Sequence, residues 1–156
     1  MKRLLLLTLT LFITTSAFAQ TVVNVTDADF GSSDVTWTKD NIYVLTEMIF
    51  VKPGTKLTIE PGTVIKGAVG DGNDATGLVV TMGAQIFAEG TAEEPIIFTS
   101  ELDDLSGSLT ELDRGLWGGV VVLGDAPTNN ATADGTKLVE GVNEIANPES
   151  YAKYGG

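Results

Sequence analysis

The sequence predicts an all-β protein wound as a β-solenoid with parallel strands, and three observations carry that prediction. Two short β-prone units follow one another directly at Val51–Thr58 and Ile59–Lys66, and each contains a Pro-Gly-Thr corner. A third unit at Val80–Phe87 keeps the glycine of the corner without the proline. Helix-forming patterns are weak along the whole chain, so strands and corners are expected to make up the fold.

The Pro-Gly corners explain why such short strands would coil. Proline fixes φ at the first central position of a turn, and glycine supplies the positive φ that a type II turn needs at the second. Corners about eight residues apart leave strands too short for an ordinary sandwich hairpin, and they fit the sides of a polygonal coil. A full coil of about 21 residues follows from three alignments: Ile59 with Val80, Gly62 with Gly83, and Ile65 with Ile86.

Each short strand is expected to pair in parallel with the same side of the next coil, about 4.8 Å away. Because side chains alternate along a strand, one set stacks inside the coil and the other faces outward. The predicted inward set is apolar and consists of Leu57, Ile59, Ile65, Val80, Ile86, Ile96, Phe98, Val120 and Val122. The residues that would then face outward, under loops or a covering segment, are Val79, Phe87, Ile97 and Val121.

Residues 1–19 match a secretory signal peptide. Lys2 and Arg3 give a positive start, an apolar run follows at residues 4–13, and the tripeptide 17–19 matches the small-residue cleavage pattern. The apolar run is too short to span a bilayer. Cleavage would leave a mature chain from Gln20, with an N-terminal cap and first strands at residues 20–48. The coils and their excursion loops would occupy residues 49–156.

Composition excludes several partners and several kinds of chemistry. The formal net charge is −12, and loss of Lys2 and Arg3 with the signal would bring it to about −14. Such a surface repels phosphates, so no nucleic acid partner is expected. The chain has no cysteine and no histidine, which removes disulfides, a cysteine-linked lipid anchor, Ser-His-Asp catalysis and histidine-metal sites. No second apolar segment of membrane-spanning length follows the signal.

Several sequence blocks occur in a fixed order, at Leu57–Gly67, Gly83–Ser100, Arg114–Gly119 and Leu123–Pro127. In these blocks the chain resembles a family of secreted surface proteins of the Bacteroidetes type. The resemblance implies a right-handed parallel β-helix and export, often with a C-terminal sorting domain for type IX secretion. The family continues through further coils, so the chain is expected to be the N-terminal part of a longer solenoid. The resemblance brings no catalytic residue with it.

Two pairs of adjacent carboxylates are candidates for acid–base chemistry. Glu93-Glu94 and Asp103-Asp104 could supply the acid and base of a glycosidase only if both side chains of a pair shared one face. Adjacent strand residues point to opposite faces, so a role in turns is the alternative interpretation.

One polar insert is the predicted metal site. Asp71, Asn73 and Asp74 lie close together in the sequence, and their oxygens suit a hard cation such as Ca²⁺. The alternative is a flexible polar turn between two coils, because the further ligands of an EF-hand loop are missing.

The function predicted from these features is binding or adhesion by a non-enzymatic β-helix protein, secreted or held at the outer membrane surface. Glycans or other cell-surface components are the expected partners. A polysaccharide-active enzyme, a lyase or glycosidase with its site in loops or later coils, is the alternative, and a structural spacer is a third. Five aromatic residues could form a sugar-stacking platform if they were exposed on one face, and packing in the core is the alternative. They are Trp37, Tyr43, Trp117, Tyr151 and Tyr154.

Overall fold

The computed structural model describes residues 19–129, 134–142 and 151–156. Residues 1–18 of the predicted signal peptide lie outside this range. Among the described residues, the structure contains no helix of sufficient length and hydropathy to traverse a bilayer.

The fold is a parallel β-helix with three sheets along its sides. Sheet 1 has the order β1-β3-β6-β9, sheet 2 the order β2-β5-β8, and sheet 3 the order β4-β7-β10, all with parallel pairing. A short antiparallel pair, β11-β12, follows near the end of the chain. The strands are β1 Thr21–Val25, β2 Val35–Trp37, β3 Asn41–Leu45, β4 Met48–Val51, β5 Lys56–Ile59, β6 Val64–Gly67, β7 Gly77–Val80, β8 Gln85–Ala88, β9 Ile97–Ser100, β10 Val120–Val122, β11 Lys137–Leu138 and β12 Lys153–Tyr154.

From β4 onward the chain visits sheet 3, sheet 2 and sheet 1 in turn, so that three consecutive strands complete one coil. β1, β2 and β3 belong to the same sheets as later strands, so sheets 1 and 2 already begin within residues 20–48. The predicted parallel β-solenoid is therefore confirmed.

The predicted corners have the expected geometry. Gly54 and Gly62 adopt φ values of 80° and 81°, the left-handed conformation that a type II turn requires. The threonine after each glycine is buried and donates its hydroxyl back to a backbone carbonyl, from Thr55 to Lys52 at 2.8 Å and from Thr63 to Glu60 at 2.7 Å. These hydroxyl bonds close the corners, and the sequence pattern alone did not show them.

The predicted alignment of the repeats is wrong. Leu57 on β5 pairs with Ile86, and Val80 on β7 pairs with Val51 and Val122, so Ile59 and Val80 lie on different sheets. The corner at Gly54 stacks on Gly83, with the amide of Gly54 donating to the Gly83 carbonyl at 2.8 Å. The coils differ in length because loops at residues 68–76, 89–96 and 101–119 separate β6 from β7, β8 from β9 and β9 from β10, so no single period aligns them.

The interior core confirms most of the predicted inward set. Leu57, Ile59, Ile65 and Val80 are buried in one cluster inside the coil, and Ile86, Ile96 and Phe98 pack against it. Val120 and Val122 share the inward register of Leu78 and Val80 but are 40% and 65% exposed. The predicted inward orientation is therefore correct, and both side chains are exposed because β10 is an edge strand of sheet 3 that pairs, among the described residues, with β7 alone.

A second apolar cluster lies on the outer face of sheet 3. We call it the outer cluster; its buried members are Phe50, Val79, Leu123 and Ala152, and Val121 and Tyr151 pack against it. The outward orientation predicted for Val79 and Val121 is thus correct, and residues 139, 142, 151 and 152 form the covering segment. Phe87, on sheet 2, also faces outward and is exposed.

Candidate functional site

A cavity of about 310 Å³ opens beside the outer cluster, where the start of β4 meets two loops. We call it the sheet 3 cleft. It is lined by Asp27, Thr46, Glu47, Met48, Phe50, Gly72, Asn73, Asp74, Ala75, Gly141 and Val142.

Strand alternation gives the cleft its apolar floor. Ile49 and Val51 point into the interior core, so Met48 and Phe50, which alternate with them on β4, point outward into the cleft. Glu47 immediately precedes β4 and stands at the edge of this floor. The coil therefore places one acidic and two apolar side chains together through local sequence alone.

Asp27 fixes one wall of the cleft to the sheet. It opens a short 3-10 helix at Asp27–Asp29, and its carboxylate accepts the amide of Phe50 at 2.8 Å and the ammonium of Lys52. Its own amide donates to the Glu47 carboxylate at 2.7 Å. Both oxygens of Asp27 are thereby engaged in holding the wall to β4.

Lys52 sits between this wall and the C-terminal covering segment. Its ammonium lies 5.7 Å from the ring centroid of Phe50 and 5.0 Å from that of Tyr151, both within cation–π range. The ion pair of Lys52 with Asp27 neutralises its charge locally. Lys52 therefore acts as a structural link, and it does not line the cleft.

The opposite wall comes from the polar insert that carries the predicted metal site. Asn73 and Asp74 belong to a 3-10 helix at Gly72–Asp74 and line the cleft, whereas Asp71 precedes the helix and does not. Within the described part of the chain, the side chains of Asn73 and Asp74 have no hydrogen-bond partner. Both therefore retain their full capacity to bond a ligand.

No group of three or more acidic side chains lies close enough to hold a metal ion, in the part of the chain that the structure describes. The calcium site predicted at Asp71, Asn73 and Asp74 offers only two carboxylates, and it stays a prediction. The structure adds that Asn73 and Asp74, without Asp71, face a cavity.

Three of the four carboxylates in the two adjacent pairs have structural partners. Glu94 lies 2.7 Å from the ammonium of Lys39, and this contact raises the pKa of Lys39. Asp103 accepts the Thr99 hydroxyl at 2.7 Å, and Asp104 accepts the Ser106 hydroxyl at 2.6 Å. These bonds lower the pKa of both aspartates, whereas a general acid needs a raised pKa.

The aromatic side chains divide between core and cover. Trp37 and Tyr43 are buried and stacked, with ring centroids 4.9 Å apart. Trp117 packs over Gly67 against the interior core, and Tyr151 and Tyr154 join the outer cluster. The five aromatics therefore do not form one sugar-stacking face. Phe50, which sequence reasoning did not single out, lies buried at the base of the cleft.

Asp27 and Glu47 were also missed by sequence reasoning. They stand 20 residues apart, and the amide of Thr46 donates to the carbonyl of Val25 as one coil stacks on the next. Only a correct coil alignment would have brought them together.

The three parallel sheets define this chain as a parallel β-helix protein. The chain belongs to the pectate-lyase-like β-helix domain family, whose model matches residues 29–156. No curated protein and no solved structure matches the chain. The match supports the β-helix part of the predicted family, whereas a Bacteroidetes origin and type IX secretion stay predictions.

Proposed function

We propose that this protein is exported and acts as a non-enzymatic β-helix that binds glycans at or near the cell surface, through the sheet 3 cleft. The observation that carries the proposal is the combination of an apolar floor with unpaired polar groups on the wall. A cavity of about 310 Å³ stands at the lower end of the range for small-molecule sites.

The chemistry of a sugar ring suits these surfaces. One face of a pyranose ring carries C–H groups that pack on apolar side chains, and the partly exposed thioether of Met48 offers such a surface above the buried ring of Phe50. The ring hydroxyls both donate and accept hydrogen bonds. The side-chain amide of Asn73 can both donate to and accept from these hydroxyls, and the carboxylates of Asp74 and Glu47 can accept hydrogen bonds from them.

Export rests on the signal-like residues 1–19 and on the acidic composition, which suits a chain that stays dissolved outside the cell. The family match supports a polysaccharide-related role.

The test is calorimetric titration of the mature chain with a panel of purified oligosaccharides. Asn73→Ala should weaken the best ligand about tenfold, the loss expected when hydrogen bonds to a bound sugar are removed. Asp71→Ala is the matched control from the same loop outside the cleft, and it should leave affinity unchanged. A panel without any binder, or equal losses in the two variants, would contradict the proposal.

A polysaccharide-active enzyme is the second candidate, favoured by the family to which the chain belongs. Prolonged incubation with the ligand found in the panel, followed by assays for new reducing ends and for unsaturated ends, separates the two functions. Product that accumulates in proportion to protein concentration, and is lost in Asp74→Asn, would establish catalysis at the cleft.

A further inference from the structure

The sheet 3 cleft has a one-sided charge. Among the described residues, three carboxylates line it, those of Asp27, Glu47 and Asp74, and no lysine or arginine does. Asp27 is compensated by Lys52, with which it forms an ion pair. Two acidic side chains therefore face the cavity with their charge uncompensated by any ion pair within the described residues.

The two uncompensated carboxylates come from different elements of the cleft lining. Glu47 precedes β4 and uses one oxygen to accept the amide of Asp27 at 2.7 Å, which leaves its second oxygen for a ligand. Asp74 ends the 3-10 helix of the polar insert. A ligand in the cavity therefore meets two negative charges in the lining, beside the apolar side chain of Met48.

We propose that the cleft selects sugars that carry a protonated amine, such as 2-amino-2-deoxy hexoses, over uncharged and acidic sugars. This inference rests on the glycan-binding function proposed above and names the class of glycan. The ammonium group would donate to the carboxylates of Glu47 and Asp74 while the ring packs on Met48, the partly exposed apolar side chain of the lining. Charge-assisted hydrogen bonds of this kind are stronger than neutral ones.

Acidic sugars would be repelled by the same carboxylates. A uronate carboxylate in the cleft would face two like charges, and the described part of the lining has no lysine or arginine to pair with it. The formal net charge of −12 adds a repulsive field around the whole chain. The cleft is therefore unsuited to a polyuronate such as pectate, the compound that appears in the description of the family.

The experiment compares four ligands by calorimetry at low and high salt: a glucosamine oligomer, its N-acetylated counterpart of equal length, an oligogalacturonate and the linear polyamine spermidine. The glucosamine oligomer should bind at least about fivefold more tightly than the acetylated one, the factor that one exposed ion pair supplies. Its affinity should fall with added salt, because screening weakens the attraction.

Two variants localise the effect. Asp74→Asn should weaken the glucosamine oligomer about fivefold, because it removes one ion pair. Its effect on the acetylated oligomer should be smaller, under about twofold, because the amide oxygen of asparagine still accepts a bond from a ring hydroxyl. Asp71→Asn makes the same change of charge in the same loop outside the cleft, and its effect should be under about twofold, since exposed charges are screened by solvent.

Four results would overturn the inference. They are tightest binding of the oligogalacturonate, equal affinity for amine and acetylated oligomers, equal effects of the two variants, and binding of spermidine as tight as that of the amino sugar. In the second case the acetylated oligomer still binds at the cleft, so the proposed function survives. Absence of binding by all three saccharides would instead remove the proposed function itself.

Discussion

The indole of Trp117 lies so close over Gly67 that a Cβ atom on Gly67 would stand 2.4 Å from the indole Cε3. Trp117 packs against the interior core at the end of the long loop 101–119, and Gly67 ends β6. The glycine thus provides the space in which this loop returns to the solenoid.

We expect Gly67→Ala to destabilise the protein by about 1–3 kcal/mol, because the added methyl group overpacks a filled site and forces the indole to move. Thermal unfolding followed by circular dichroism measures the effect. Gly31→Ala is the matched control, since no atom of the described residues lies within 4 Å of its Cβ position, and it should change stability by no more than about 0.5 kcal/mol. Equal melting temperatures for the two variants would contradict the tight contact.

The corner threonines give a second prediction. Thr63 is fully buried and donates its hydroxyl to the carbonyl of Glu60 at 2.7 Å. Thr63→Val keeps the volume and removes this hydrogen bond, so we expect a loss of about 1–2 kcal/mol in the free energy of unfolding.

Thr58→Val serves as its control, because Thr58 is exposed on the outer face of β5, where valine is a favoured strand residue. Chemical denaturation of both variants decides the matter. If Thr63→Val unfolds at the same denaturant concentration as the wild type, the corner hydroxyl has no part in stability.

The sequence predicted the geometry of the corners more reliably than the alignment of the coils. Pro-Gly pairs dictate turn geometry locally, so the positive φ at Gly54 and Gly62 followed from two adjacent residues. Coil alignment depends on how many residues leave the solenoid between strands. Ile59 pairs with Ala88 because the loop at 68–76 lengthens that coil without disturbing the register, and an excursion of this kind leaves no periodic signal.

Burial at the outer face of sheet 3 could not be predicted from the sequence either. Alternation correctly places Val79 outward, but its complete burial depends on Ala152 and Tyr151, which are more than 70 residues distant. The cleft shares this difficulty. Asn73 and Asp74 were recognisable in the sequence as part of a polar insert. Phe50 could not be told from a residue of the interior core, because its outward orientation depends on how β4 is placed in the coil.

The loop at 101–113 predicts a specific response to acid. The hydroxyl of Thr99 and the amide of Leu105 donate to the carboxylate of Asp103, and these bonds lower its pKa from the ordinary 3.8. Because the folded pKa lies below the unfolded one, the bonds stabilise the fold at pH values above 3.8. The stabilisation is lost as pH falls through the folded pKa.

We expect Thr99→Val to move the pKa of Asp103 upward, toward 3.8, as followed by NMR titration of the side-chain carboxyl carbon. Ser106→Ala is the control: its hydroxyl bonds Asp104, so the pKa of Asp104 should rise and that of Asp103 should stay. An unchanged Asp103 titration in Thr99→Val would show that the hydroxyl bond does not form in solution.

Val80 and Val122 provide the sharpest comparison of burial in this chain, because they share one residue type and one register on adjacent strands of sheet 3. Val80 is 2% exposed and Val122 is 65% exposed. Val80→Ala should lower the free energy of unfolding by about 2 kcal/mol, since it leaves a cavity inside the coil. This corresponds to a fall of about 6 °C in Tm for a chain of this size. Val122→Ala should change it by less than about 0.5 kcal/mol, because solvent already surrounds the side chain. Calorimetric unfolding of the two variants measures both values, and a loss in Val122→Ala as large as that in Val80→Ala would mean that the edge of β10 is covered in solution.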